Sequence, residues 1–337
     1  MALSERKKKI LQAVIRDYIH SAEPVGSRTI ARRYSLGLSP ATIRNEMADL
    51  EESGYLEQPH TSAGRIPSQK GYRFYVDTLM EKVLLAKEEV MAIEKIMQER
   101  KEKEIEQFIQ QISRVLSSVT NYTSLVFGPI IKKSAFKQLK VLPLEPGQGL
   151  AILIMDSGFI KHKAIPLSPS LKTRELERMV AYLNHKFHGH TMDTITSSLL
   201  KEAKRDLIEN VGLLNETLNL MEDAGRSEEG KLFLGGTTNI LNQPEFRDVK
   251  KVKSLLTLFE EETLLGSLLG SATPQGIEVR IGEENKLEEF KDCSMVVTTY
   301  RLVGKNLGTI GILGPVRMEY ARVIALVEHL VLRLNNM

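Results

Sequence analysis

The 337-residue chain contains one cysteine, Cys293, and no long apolar run. A single thiol excludes an internal disulfide and any zinc site built from several cysteines. The longest purely apolar run, residues 150–155, is far too short to cross a bilayer, and no apolar signal core follows the charged residues 5–9. We therefore expect a cytoplasmic protein without a membrane partner.

Acidic residues are absent from one stretch near the N-terminus. Residues 24–45 contain four arginines and no aspartate or glutamate, whereas acids dominate residues 46–57. The net charge of the whole chain is only +3, so the positive charge is placed locally. Such a distribution suits a protein that presents one small face to phosphate groups, although an ordinary solvated surface would also explain it.

Three short helices are predicted before residue 54. Ser4 begins the first helix, and Ser27 can cap the second. Ser39 and Pro40 open the third, since serine is a favoured N-cap and the missing N–H of proline costs nothing at the first helical position. This order of capped helices is typical of a helix-turn-helix unit.

The spacing of the third helix indicates which of its faces is free. Ile43, Met47 and Leu50 fall on one stripe, which we expect to pack on the first two helices. Asn45 points nearly opposite, so a small polar face remains near the N-terminal end, where a recognition helix enters the major groove. The helical residues that we predict to contact DNA are Ser27, Arg28, Ser39, Ala41, Thr42, Arg44 and Asn45.

These contacts divide by chemistry into base contacts and phosphate contacts. Arg44 can pair with guanine and Asn45 with adenine, while Thr42 can touch a thymine methyl group or a phosphate. The hydroxyls, guanidinium and free N–H groups at the starts of the second and third helices are suited to phosphates.

Residues 55–67 predict a β-wing, because two short extended runs flank a turn rich in serine and glycine. Arg65 is placed to reach the DNA backbone or the minor groove. Two basic residues follow at the start of the next helix. The predicted contacts from this part of the chain are Thr61, Ser62, Arg65, Lys70 and Arg73.

The region from residue 81 to 119 contains no glycine or proline and has apolar residues at helical spacing. One stripe runs through Val83, Val90 and Met97, and a second runs through Ile105 and Ile112. The pattern predicts one long helix, or two in series, acting as a connector. Its charged middle could flex and let a dimer accept a longer spacer between half-sites.

The remainder predicts strands on both sides of a mainly helical stretch. The simplest arrangement is one α+β domain built from residues 120–190 and 276–337, interrupted by residues 191–275; two sequential domains are the alternative. The strands are predicted at 124–127, 136–144, 150–155, 159–166, 277–281, 295–303 and 309–313, and helices at 172–187 and 317–335.

No metal, cofactor or catalytic site is predicted. His185, His188 and His190 do not share one helical face, and Cys293 lacks any signature of a nucleophile. The run Gly235–Thr238 has no lysine at the spacing of a phosphate-binding loop. We therefore expect a protein that is not an enzyme.

Five segments together resemble one family. They are EPVGSRTI from residue 23, LSPATIRNEMADLE from residue 38, PHTSAGRIP from residue 59, LGGTTNILNQPEF from residue 234 and GILGPVRMEY from residue 311. Their order along the chain is similar to that of the heat-inducible transcription repressor family HrcA, and the resemblance extends over nearly the full length.

The resemblance implies a fold and partners that spacing does not show. It implies a winged helix-turn-helix domain over residues 1–80, a connector helix over 81–119, a GAF-like α+β domain over 120–190 plus 276–337, and an inserted, mainly helical dimerisation domain over 191–275. A homodimer of this kind would repress chaperone operons by binding double-stranded DNA at an inverted repeat, the CIRCE element, with activity coupled to the chaperonin. A metabolite-sensing repressor and a winged helix that binds protein partners remain alternatives.

Overall fold

The computed structural model has a mixed α/β architecture. It describes residues 3–61, 63–100, 104–128, 135–145, 147–156, 160–168, 171–191, 194–195, 231–270, 276–285, 287–302 and 306–336. Its α-helices are Glu5–Ser21 (α1), Ser27–Arg33 (α2), Pro40–Glu52 (α3), Gln69–Phe74 (α4), Lys87–Glu99 (α5), Ile105–Thr120 (α6), Thr173–Phe187 (α7), Val249–Glu260 (α8), Glu262–Gly270 (α9) and Tyr320–Asn335 (α10). Its strands are Leu56–Glu57 (β1), Ile66–Pro67 (β2), Thr123–Phe127 (β3), Phe136–Pro143 (β4), Gln148–Met155 (β5), Ile160–Pro166 (β6), Leu232–Gly235 (β7), Glu278–Ile281 (β8), Cys293–Leu302 (β9) and Asn306–Pro315 (β10).

The first three helices pack around a common apolar core. Ile10 and Leu11 of α1 and Ile30 of α2 are fully buried, as are Ile43 and Leu50 of α3. Apolar residues at a spacing of three and four bring these side chains to one face of each helix, and burying that face stabilises helices too short to persist alone. The paired strands β1 and β2 follow directly.

A five-stranded antiparallel sheet, in the order β7-β3-β10-β9-β8, forms the centre of the molecule. Alternate side chains of each strand point to opposite faces. Val126 of β3 joins the core that contains α6 and α10, while Leu125 and Phe127 join the core that contains α8 and α9. The sheet therefore lies between two helical layers, which explains why all five residues of β3 are buried.

A second antiparallel sheet, β4-β5-β6, has its own core. Its strands alternate between buried and accessible residues, as expected for a sheet covered on one face. Helix α7 covers that face, with Leu183 and Phe187 fully buried against Leu153 and Met155. These elements form a unit between β3 and β7 in the chain.

The strand pairing differs from the predicted division of the chain. Strand β7 pairs with β3, from Ser124↔Gly235 to Phe127↔Leu232, so residues 231–270 belong with the five-stranded sheet. The strands at 136–166, which we expected in one α+β domain with the C-terminal strands, pair with one another in the separate sheet β4-β5-β6. Both kinds of strand alternate in a similar way in the sequence, and only long-range pairing distinguishes them. Residues 196–230 of the predicted insertion lie outside the described residues.

The predicted connector consists of two helices in series, α5 and α6, but they are packed rather than free. Helix α5 buries Ile93 and Ile96, and Met97 of the predicted stripe packs against the same core. Val83 lies before the helix and is 43% exposed, so its place in that stripe is wrong. Arg322 of α10 donates from Nε to Glu89 Oε1 of α5 at 2.6 Å. These contacts attach α5 to the five-stranded sheet and the helices packed on it, which together form the body of the molecule.

Candidate nucleic-acid interface

Helix α3 begins as its sequence predicts. The Ser39 hydroxyl accepts a hydrogen bond from the backbone N–H of Thr42 at 3.1 Å, and Pro40 occupies the first turn. A capped start holds the first turn in helical form, with its remaining N–H groups directed outward. The start of α2 differs from the prediction, because its N-cap is Gly26 and the Ser27 side chain makes no capping bond.

The face of α3 opposite the core is accessible. Ala41, Arg44 and Asn45 are exposed, and Thr42 is half-buried with its hydroxyl 2.9 Å from Ser39 Oγ. Small and polar side chains therefore occupy the first turns of the helix. A major groove admits an α-helix only when bulky apolar groups do not block the approach.

Two cations beside this face have no partner within the described part of the chain. Arg28 in the first turn of α2 and Arg44 in α3 are exposed and make neither an ion pair nor a hydrogen bond to a described residue. Arg32 is exposed in the same manner; our site prediction omitted it, although the acid-free stretch 24–45 included it. Unpaired guanidinium groups can bind phosphate or guanine without first losing an internal partner.

Three of the four acids of α3 pair with basic neighbours. Glu46 pairs with Arg6 at 3.3 Å, and Asp49 pairs with Lys7 at 2.9 Å. The hydrogen bond to Asp49 raises the pKa of Lys7, which keeps this lysine charged. The acidic half of the helix therefore presents less negative charge to a polyanion than its sequence implies.

Backbone contacts fix the hairpin β1–β2 to the segment between α1 and α2. The backbone N–H of Val25 donates to Arg65 O at 2.8 Å, and that of Arg65 donates to Val25 O at 2.9 Å. A Cβ on Gly64 would lie 2.4 Å from the carbonyl oxygen of Val25, so glycine is required for this approach. Thr61 is exposed in the connecting loop, and the predicted contact Ser62 lies outside the described residues.

The three basic residues predicted to reach DNA beyond α3 each have a partner within the chain. Arg65 is only 18% exposed and pairs through Nε with Glu51 Oε2 at 2.7 Å. Lys70 donates from Nζ to the carbonyl oxygen of Ser53 at 2.8 Å, which satisfies the C-terminal end of α3. Each charge is held by an acceptor inside the N-terminal unit, which comprises α1 to α4 and the hairpin β1–β2. The spacing of residues in the sequence does not reveal these acceptors.

Arg73 departs furthest from its predicted role. Its Nε donates to Glu284 Oε1 at 2.8 Å, and a second nitrogen donates to the carbonyl oxygen of Val279 at 2.6 Å. The hydrogen bond to Glu284 is the largest cause of the raised pKa of Arg73. Arg73 therefore binds the five-stranded sheet region, about two hundred residues away in sequence.

Comparison with known proteins identifies the family. The family model described as "HrcA protein C terminal domain" matches residues 106–324. The chain is 50% identical over 330 residues to the heat-inducible transcription repressor HrcA of Natranaerobius thermophilus, covering 98% of this chain and 95% of that protein. It is 46% identical over 338 residues to the protein of the same name from Pelotomaculum thermopropionicum, covering 100% and 97%. The chain belongs to the HrcA family.

A solved structure confirms that the HrcA fold here is shared beyond close relatives. A crystal structure described as a hypothetical protein at 2.2 Å resolution superposes with a TM-score of 0.68, covering 99% of this chain and 98% of that one at 24% identity. Within the part of this HrcA chain that the structure describes, no helix is long and apolar enough to span a bilayer. The same described residues contain no cluster of three or more histidine, cysteine or acidic side chains able to hold a metal ion.

Proposed function

We propose that this HrcA-family chain represses heat-shock genes by binding operator DNA through its N-terminal unit. The relatives that it matches over nearly its whole length carry the name heat-inducible transcription repressor. Three short helices followed by the β1–β2 hairpin have the order of elements of a winged helix-turn-helix over residues 1–80. Helix α3 is then the recognition helix.

One observation supports this most strongly. The N-terminal turns of α3 expose Arg44 and Asn45 while Ile43 and Met47 are buried. Arg28, which has no partner among the described residues, lies on the neighbouring helix. Side chains able to read bases are thus accessible beside a cation suited to phosphate. The proposed DNA contacts are Ser27, Arg28, Ser39, Ala41, Thr42, Arg44, Asn45 and Thr61, with Ser62 still a prediction.

We further propose that the chain acts as a homodimer on an inverted repeat, the CIRCE element. A two-fold dimer presents two recognition helices, so its half-sites lie about one helical turn, ~34 Å, or a multiple apart.

The β4–β6 sheet offers a surface for a second copy, because Leu142 and Ile160 are exposed and Ile152 and Ile154 are half-buried on the face opposite α7. Apolar patches of this kind commonly mark protein interfaces.

The five-stranded sheet with helices on both faces is our candidate for the GAF-like domain.

We propose that repression is coupled to the chaperonin, on the strength of the family resemblance. Adding purified chaperonin to a DNA-binding assay should raise the fraction of active repressor. Adding candidate metabolites to the same assay discriminates the metabolite-sensing alternative, which would require one of them to change the affinity.

The first test is operator binding by the full chain and by Arg44→Ala. We expect the parent to shift inverted-repeat DNA at modest salt, and Arg44→Ala to lose roughly 1–3 kcal/mol of discrimination at one base pair of each half-site. Competition gel shifts with single-base operator variants measure this, and sedimentation in the same buffer measures the dimer.

Arg178→Ala is the matched control, because Arg178 is an exposed arginine on α7 in another part of the molecule. It should leave the operator preference unchanged. Equal losses on operator and random DNA for Arg44→Ala would show that the proposed recognition face is wrong. A folded parent that shifts no inverted-repeat DNA would remove the proposed function itself.

A further inference from the structure

The N-terminal unit is docked directly on the body of the molecule. One continuous apolar cluster contains α1, α3, α6, α10 and strands of the five-stranded sheet. At its centre, Tyr72 of α4 and Tyr320 of α10 are buried with ring centroids 6.1 Å apart. The orientation of the DNA-reading helices is therefore set by packing, and not by the chain segments that connect them.

Arg73 forms the first polar contact across this junction. Its guanidinium binds both carboxylate oxygens of Glu284 and the carbonyl oxygen of Val279. Glu284 is held in turn, since its Oε2 accepts from the backbone N–H of Ile281 at 2.9 Å. A two-pronged arginine–carboxylate pair restricts rotation as well as distance.

Arg317 forms the second polar contact, at the C-terminal end of α1. Its Nη1 donates to the carbonyl oxygen of Ile19 at 3.1 Å, one of the last carbonyls of that helix, which have no partner within the helix. The same guanidinium donates to Glu245 Oε1 at 2.5 Å and to Gln243 Oε1 at 3.0 Å. Arg317 is only 11% exposed and thereby connects α1 to the loop that follows β7.

A third contact fixes α4 close to the body. The backbone N–H of Glu283 donates to Gln69 Oε1 at 3.0 Å. Gly282 has a φ of 55°, and a Cβ there would lie 2.4 Å from Cδ of Gln69. The absence of a side chain at this position leaves room for the Gln69 side chain against the backbone of residues 282–283.

We propose that Arg73 and Arg317 are positioning residues that determine which half-site spacing the dimer accepts. They hold two different elements of the N-terminal unit, α4 and α1, so together they resist pivoting of the unit about the tyrosine contact. In a two-fold dimer this angle sets the separation and the helical phase of the two α3 helices. The proposal rests on the proposed operator binding and assigns the specificity for spacing to the junction, rather than to flexibility between α5 and α6.

The test compares inverted repeats whose spacers differ in length, together with a duplex that carries one half-site. The parent should prefer one spacer over a spacer changed by half a helical turn, ~5 base pairs, by about tenfold. Arg73→Met and Arg317→Met should each reduce this preference to about threefold or less, and single half-site binding should stay within about twofold of the parent. A purely structural defect would weaken all of these duplexes alike.

Two further variants keep the test decisive. Glu284→Gln can still accept the Ile281 N–H but loses the charged pair, so it should reproduce Arg73→Met even if the arginine variants fold poorly. Arg333→Met removes an ion pair of 2.7 Å to Glu94 between α10 and α5, both in the body, and should behave as the parent.

The outcomes separate this proposal from the proposed function. If the parent shows a spacer preference and folded Arg73→Met, Arg317→Met and Glu284→Gln all retain it, the positioning role is refuted while operator binding stands. If the parent binds no inverted repeat, both fail together.

Discussion

At the residue scale, the arginines of the N-terminal unit differ by their partners rather than by their position in the sequence. Arg28 is exposed without a partner among the described residues, whereas Arg65 is largely buried against Glu51. Arg33 pairs with Asp17 at 2.6 Å, and Asp17 is 5% exposed. An arginine that already satisfies a carboxylate would have to break that pair before it could bind phosphate.

Arg28 and Arg65 should therefore respond oppositely to substitution. Arg28→Ala should weaken operator and random DNA alike and reduce the slope of log K against log salt by about one, with little change in stability. Arg65→Met should lower the free energy of unfolding by roughly 1 kcal/mol and leave the salt slope unchanged, because its charge is used inside the fold. Salt titrations of DNA binding and thermal melts of both variants measure these effects.

The converse result, a reduced salt slope for Arg65→Met in a fully stable protein, would place Arg65 on the DNA as its sequence position suggested.

The sequence could predict the exposure of Arg44 and Asn45, since the helical period places them opposite Ile43 and Met47. It could not predict the partner of Arg73, because Glu284 is distant in the chain and no local pattern links the two.

At the element scale, α3 owes its start to a local signal. The Ser39 hydroxyl replaces one of the hydrogen bonds missing from the first turn, and that turn carries the residues proposed to contact bases. Helix α1 begins in the same way, with the Ser4 hydroxyl accepting from the backbone N–H of Lys7 at 3.4 Å. The two caps are chemically equal, but only one lies beside the proposed interface.

This pair allows a matched experiment on caps. Ser39→Ala and Ser4→Ala should each lower the free energy of unfolding by about 1 kcal/mol or less. Ser39→Ala should also weaken operator binding, because fraying of the first turn misplaces Thr42 and Arg44, whereas Ser4→Ala should not. Chemical denaturation and gel shifts give the two quantities, and equal operator affinities for both variants would exclude a role of the α3 cap in recognition.

Elements were easier to predict than their arrangement. The start of α3, the strands near 150–155 and 295–303, and the two helices in series all follow from residues within one short window. The pairing of β7 with β3 joins Leu234 to Leu125, over a hundred residues apart, and it decides which strands share a sheet. Nothing local in either strand specifies that partner, so the sequence pattern could not place β7 in one sheet with β3.

At the scale of the whole molecule, three buried clusters of the described residues define what can unfold together. The largest joins the N-terminal unit, α5, α6 and α10 to one face of the five-stranded sheet. The second lies between the β4–β6 sheet and α7, and the third lies on the other face of the five-stranded sheet. Continuity of the first cluster implies that the helices proposed to read DNA lose their support when the body opens, which offers a physical route from heat to the proposed release of DNA.

Two leucine substitutions test this coupling. Leu326 of α10 and Leu183 of α7 are both fully buried, in the first and second clusters respectively. Each change to alanine should cost about 2–5 kcal/mol locally, through lost burial and a cavity. Because α1 shares the cluster of Leu326, Leu326→Ala should accelerate amide hydrogen exchange in α1 as well as in α10 and lower the temperature at which operator DNA is released. Leu183→Ala should accelerate exchange in β4–β6 and α7 while leaving α1 as protected as in the parent. Mass spectrometry measures the exchange. Unchanged protection of α1 in Leu326→Ala would show that the N-terminal unit opens independently of the body, so that opening of the body could not explain release of DNA on heating.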